Sequence, residues 1–108
     1  MLTEKEIENK IRRFLIQQGA YHIKHFGCMF SKAGVPDILA CLNGLFIAIE
    51  VKSAKGKLSE LQKDHIQQIR DAGGISMMAR SLDEVVYYLT SKGINLLPTP
   101  KRRKKSDE

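Results

Sequence analysis

Apolar positions change their spacing several times along the chain, and each change marks an element. Ile7, Ile11, Phe14 and Leu15 recur at helical spacing behind Thr3-Glu4-Lys5-Glu6, a capping-box pattern with Thr3 as N-cap and Glu6 at the third helical position. Gly19 ends this helix as its C′ residue. Residues 20–29 alternate weakly and predict a first strand. Asp37-Ile38-Leu39-Ala40-Cys41-Leu42 predicts a second, with Pro36 at its opening, where proline is tolerated. Leu45-Phe46-Ile47-Ala48-Ile49-Glu50-Val51-Lys52 is apolar, rich in β-branched residues and bounded by Asn43-Gly44 and Gly56, so it predicts a buried third strand. Ser59-Glu60-Leu61-Gln62 is another capping-box pattern and opens a helix marked by Leu61, Ile66 and Ile69, which Gly73-Gly74 stops. Residues 75–80 predict a fourth strand, and Ser81-Leu82-Asp83-Glu84 caps a last helix through about Ser91, with Val85, Tyr88 and Leu89 on one side.

The predicted order is α-β-β-β-α-β-α. Asn43-Gly44 is a two-residue hairpin signal, so the second and third strands are antiparallel. The third and fourth are joined through a helix and run parallel. The fold class is therefore α/β: a single domain with a mixed central sheet and helices on its faces.

The chain has 108 residues, the length of one domain, and its 43% apolar content fills one modest core. No stretch approaches the roughly 20 apolar residues of a membrane span. The N-terminus is charged and helical in pattern, unlike a signal peptide. Cys28 and Cys41 lack metal-type spacing and fit reduced, buried thiols of a cytoplasmic protein. His22 and His25 match no zinc pattern and belong on a strand near the surface. Net charge is +6, and half of that excess lies in residues 101–108. A basic protein suits a polyanionic partner. The organisation expected is a domain over 1–97 and a basic, disordered tail over 98–108. In that tail Lys101, Arg102 and Arg103 either contact phosphates without reading sequence or simply solubilise the chain.

The candidate chemistry sits in the apolar runs. Pro36-Asp37 and Glu50-Val51-Lys52 set two carboxylates and an ammonium where charges are rarely buried unless paired or bound to metal. Side chains alternate along a strand, so Glu50 and Lys52 share a face while Ile49 and Val51 point the other way. The hairpin brings Asp37 and Glu50 toward the same end, where two carboxylates can clamp a hard cation through oxygen. A surface hairpin with a plain ion pair is the structural alternative. Phe30-Ser31-Lys32-Ala33-Gly34-Val35, a loop of small and basic residues before Asp37, and a second basic loop with Lys55 and Lys57 are candidate phosphate contacts. Glu8 borders the buried stripe of the first helix, and Gln62 has a capping role available.

The element order, with Pro-Asp opening one strand and Glu-x-Lys in the next, resembles the PD-(D/E)xK (restriction-endonuclease-like) nuclease superfamily. Gly34-Val35-Pro36-Asp37, Ile49-Glu50-Val51-Lys52 and Leu58-Ser59-Glu60-Leu61-Gln62-Lys63 narrow the resemblance to the VRR-NUC domain in its small, stand-alone, phage-like form, over about residues 3–92. The chain is also similar to archaeal Holliday junction resolvases, which carry a glutamate on the first helix, matched by Glu8, and a serine in the loop before the aspartate strand, matched by Ser31.

That resemblance implies metal-assisted hydrolysis of phosphodiester bonds in DNA repair or recombination. Asp37 and Glu50 would bind Mg²⁺ or Mn²⁺ with the Val51 carbonyl as a further ligand, and Glu8 would help hold a second ion. Lys52 would orient the attacking water and stabilise phosphoryl charge, and Gln62 would line the site. Ser31, Lys32, Lys55, Lys57 and the basic arm would contact DNA. The implied protein is a homodimeric, structure-selective endodeoxyribonuclease acting on four-way (Holliday) junctions, in a bacterial host cytoplasm if phage-encoded. A flap or nicking nuclease, a DNA-binding module without catalysis and a basic structural protein are the competing readings.

Overall fold

The computed structural model describes residues 1–26 and 33–98. Cys28, Ser31, Lys32, the end of the predicted first strand and the basic tail lie outside the described residues. Helix α1 spans Glu4–Gln17. Its capping box forms as the sequence requires: the Thr3 hydroxyl accepts the Glu6 N–H at 3.1 Å, and the Glu6 carboxylate accepts the Thr3 N–H at 3.2 Å. Strands β1 (Tyr21–Lys24), β2 (Ile38–Leu42) and β3 (Leu45–Val51) follow, then α2 (Glu60–Asp71), β4 (Ile75–Ala79) and α3 (Leu82–Ser91).

The four strands stand in chain order in one sheet. β1–β2 and β2–β3 are antiparallel and β3–β4 is parallel, the mixed sheet expected from the connections. The β2–β3 turn depends on Asn43 (φ 53°) and Gly44 (φ 79°). Two consecutive left-handed residues give the turn whose twist matches the strands, and Leu42 pairs with Leu45 across it.

Alternation then sorts the side chains. Ile38, Ala40 and Leu42 of β2, Ile47, Ile49 and Val51 of β3, and Met77 and Ala79 of β4 face one way. They form the core with Ile7, Ile11, Phe14 and Leu15 of α1 and Val85 and Leu89 of α3. On the opposite face α2 packs against β3 and β4. β3 is buried on both faces from Ile47 to Val51, and Glu50 is embedded there at 3% exposure.

Among the described residues, no helix covers the part of that second face made by β1 and β2. Cys41 lies there and is exposed, which corrects the expectation of a buried thiol: its odd position on β2 points away from α1. Leu61, expected as an apolar mark of α2, is 55% exposed. Its backbone carbonyl and Cβ face Gly34. Among the described residues no helix is long and apolar enough to cross a membrane.

Candidate active site

Asp37 immediately precedes β2, and Glu50 is the second-last residue of β3. Ile38 pairs with Ile49, so one further step along the same antiparallel register sets Asp37 beside Glu50. The placement of Asp37 is built from both sides. Pro36 is fully buried, and the Asp37 carbonyl accepts the His25 N–H at 2.7 Å. Gly34, at φ +88°, approaches α2 so closely that a Cβ there would stand 2.7 Å from the Leu61 carbonyl carbon and oxygen. Only glycine combines that left-handed backbone with that approach. The Gly-Val-Pro-Asp segment is thereby packed against the first turn of α2.

The side chains interlock. Oδ2 of Asp37 accepts the backbone N–H of Val51 at 2.9 Å. Nζ of Lys52 stands 4.0 Å from Oε2 of Glu50. Glu50 is pushed up to about 8, first by burial, then by its hydrogen bond to Asp37 and the Asp37 charge. Lys52 partly opposes this, and the Glu4 carboxylate adds to it. At neutral pH the metal-free Glu50 therefore holds a proton, because its burial and the neighbouring Asp37 outweigh the Lys52 ammonium.

This donor set fits a hard divalent cation. A buried and a half-buried carboxyl group side by side, with the Glu50 pKa pushed up to about 8, are what a dication would neutralise. Asp37 and Glu50 are the residues that would hold it. Val51, whose side chain is in the core, lies between Glu50 and Lys52 with its N–H already committed to Asp37. Among the described residues no group of three or more His, Cys, Asp or Glu side chains gathers as a metal cluster.

The other expected residues stand on α1, α2 and the loop after β3. Glu8 is buried, but its partners are Lys24 of β1 at 2.5 Å and Arg12, one turn on, at 3.6 Å. Arg12 in turn donates to His22 Nε2 at 3.3 Å. Burial, then the Arg12 charge, lowers the His22 pKa, which keeps the ring neutral and able to accept. Gln62 closes the α2 capping box, accepting the Ser59 N–H at 2.9 Å. Lys55 and Lys57 are exposed on the loop after β3.

Two contributors were not legible. Glu4 reads only as a first-turn acid, yet its carboxylate reaches the loop after β3, with Oε1 3.6 Å from where a Gly56 Cβ would be. Arg80 reads as the end of a strand, and its partner lies 27 residues away.

The sheet joins an aspartate and a Glu-x-Lys pair at one strand end, the arrangement expected from the resemblance to the PD-(D/E)xK superfamily. The chain belongs to the VRR-NUC domain family of nucleases, whose model matches residues 4–83. Two solved structures described as VRR_NUC domain proteins are similar, both at 20% identity. One has a TM-score of 0.69 and covers 83% of this chain and 97% of that one. The other has 0.65, 82% and 86%. Hjc from Archaeoglobus fulgidus, a Holliday junction resolvase, is similar at 28% identity and TM-score 0.50, over 69% of this chain and 65% of that one. No curated protein sequence matches.

Proposed function

We propose that the protein is a metal-dependent, structure-selective endodeoxyribonuclease that cuts four-way junctions as a homodimer. The observation that carries the nuclease chemistry is the pairing of half-buried Asp37 with buried Glu50, with Lys52 4.0 Å from Glu50. Asp37 and Glu50 would hold Mg²⁺ or Mn²⁺, and the Val51 carbonyl would be a further ligand. Such an ion would supply Lewis-acid charge for phosphodiester hydrolysis. Lys52 orients the attacking water and offsets charge on the phosphoryl oxygens. Gln62 lines the site from the start of α2. Glu8 belongs to the catalytic set only if it leaves Lys24 and Arg12.

Lys55 and Lys57, exposed beside the site, suit phosphate contacts that position DNA without reading sequence. Ser31, Lys32, Lys101, Arg102 and Arg103 extend that contact set. The open sheet face supports the dimer. Tyr21 (73% exposed), Ile23 and Phe46 (each 46%) surround an apolar hollow of about 200 Å³ with Leu39 and Cys41. Apolar patches of this kind mark interaction sites, and a second copy matches a patch lined by uncharged residues. Asp37, Glu50 and Lys52 project from the same face of the sheet, so a two-fold pair would present two sites to one ligand.

The test is cleavage of an end-labelled four-way junction, flap, fork, duplex and single strand, each with Mg²⁺, Mn²⁺ or EDTA. Paired, metal-dependent nicks confined to the junction support the proposal. Cleavage of flaps alone makes it a flap nuclease, and tight binding without cleavage of any substrate makes Asp37 and Glu50 structural.

A further inference from the structure

Lys52 is gripped from behind. Its backbone N–H donates to the Ala79 carbonyl at 3.0 Å, which continues the β3–β4 pairing one residue past β3. The next residue in each direction closes a second link: Nη1 of Arg80 donates to the Ser53 carbonyl. That carbonyl also accepts the Gly56 N–H at 3.1 Å, so Arg80 fastens the Ser53–Gly56 turn. Gly56 in turn lies on the Lys52 stem, where a Cβ would stand 3.1 Å from Lys52 Cδ. Arg80 is itself anchored, its N–H donating to the Glu84 carboxylate at 2.9 Å, while the Glu84 N–H donates to the Ser81 hydroxyl that caps α3.

We propose that Arg80 is a positioning residue for Lys52. Its guanidinium holds the turn that walls the lysine stem, and so sets where the ammonium stands relative to Glu50. A permanently charged donor to a carbonyl is a strong, directional bond, and the Lys52 side chain, 16% exposed, has little freedom once that turn is fixed. Misplacement of a catalytic group by about 1 Å costs on the order of 100-fold in rate. The proposal rests on the nuclease reading of Lys52.

The experiment uses the full chain, with Mn²⁺ and whichever DNA substrate the wild type cuts. Arg80→Ala should lower kcat by about 10- to 100-fold with KM within about twofold, and Arg80→Lys, which keeps one donor, should recover part of the loss. The ¹³Cε signal of Lys52 in the metal-free, folded protein should shift or broaden in Arg80→Ala. If Arg80→Ala does not fold, Arg80→Lys carries the same comparison at smaller amplitude. An unchanged kcat and Lys52 signal overturn the proposal and leave Arg80 a stability residue. A raised KM at constant kcat also overturns it, and makes Arg80 a DNA contact. Full activity of Lys52→Ala would instead defeat the catalytic reading of Lys52, and a wild type that cuts no substrate would defeat the nuclease reading itself.

Discussion

The backbone N–H of Val51 donates to Oδ2 of Asp37 at 2.9 Å, which ties the Asp37 carboxylate to the strand that carries Glu50. Two carboxyl groups thirteen residues apart in sequence are thus fixed together by a two-residue turn and one hydrogen bond. Fixing them creates the strain that a dication would relieve: Glu50 is pushed to about 8 by burial and by Asp37.

That shift sets the pH dependence of the metal-free protein. Glu50 binds its proton more tightly folded than unfolded, so its contribution to stability is full below about 4.5 and is lost as pH rises through about 8. Thermal melts in EDTA should show Tm falling across that window, and Glu50→Gln should flatten the fall. Because the ion competes with the proton, Mn²⁺ should raise Tm more at pH 8.5 than at pH 6. An equal effect at both values would contradict the assignment of Asp37 and Glu50 as ligands.

Gly34→Ala should cost more than about 1 kcal/mol in urea denaturation, since alanine is strained at a positive φ and its Cβ would meet the Leu61 backbone at 2.7 Å. The same substitution should slow cleavage at temperatures where the variant is folded, because the displaced segment carries Pro36 and Asp37.

Much of this was readable from local pattern. Asn43-Gly44 announced the hairpin, Ser59 and Gln62 the second capping box, and the alternation through Ile49, Glu50, Val51 and Lys52 the site face. What was not readable depends on neighbours distant in the chain. Cys41 is apolar in a strand and looks buried, but burial depends on whether a helix covers its face. Leu61 fits a helical stripe, yet the close approach of Gly34 uses its backbone and leaves the side chain outside. Arg80 meets Ser53 only because β4 returns parallel to β3, and Glu4 reaches the site only because α1 begins beside the loop that follows it.

Glu8 has a structural role that can be separated from catalysis. Glu8→Ala removes the partner of Lys24 and Arg12 and should cost about 2 kcal/mol. Lys24→Ala should cost a similar amount, with strong coupling between the two in a double-mutant cycle. Loss of cleavage by Glu8→Ala at unchanged stability would instead place Glu8 with Asp37 and Glu50.

The open sheet face predicts its own variant. Ile23→Glu puts a charge on the apolar patch and should convert a dimer to a monomer in sedimentation equilibrium, with Mn²⁺-induced stabilisation retained. A wild type that sediments as a monomer at tens of micromolar would remove the dimer from the account.

The central claim is that Asp37 and Glu50 form one metal-dependent cleavage site. The most direct test is cleavage of labelled branched DNA with Mn²⁺ by wild type, Asp37→Asn and Glu50→Gln, each first confirmed as folded and DNA-binding. The account predicts that wild type cuts, that EDTA stops it, and that both variants bind DNA yet lose at least about 100-fold in rate. Cleavage at the wild-type rate by either variant would contradict it.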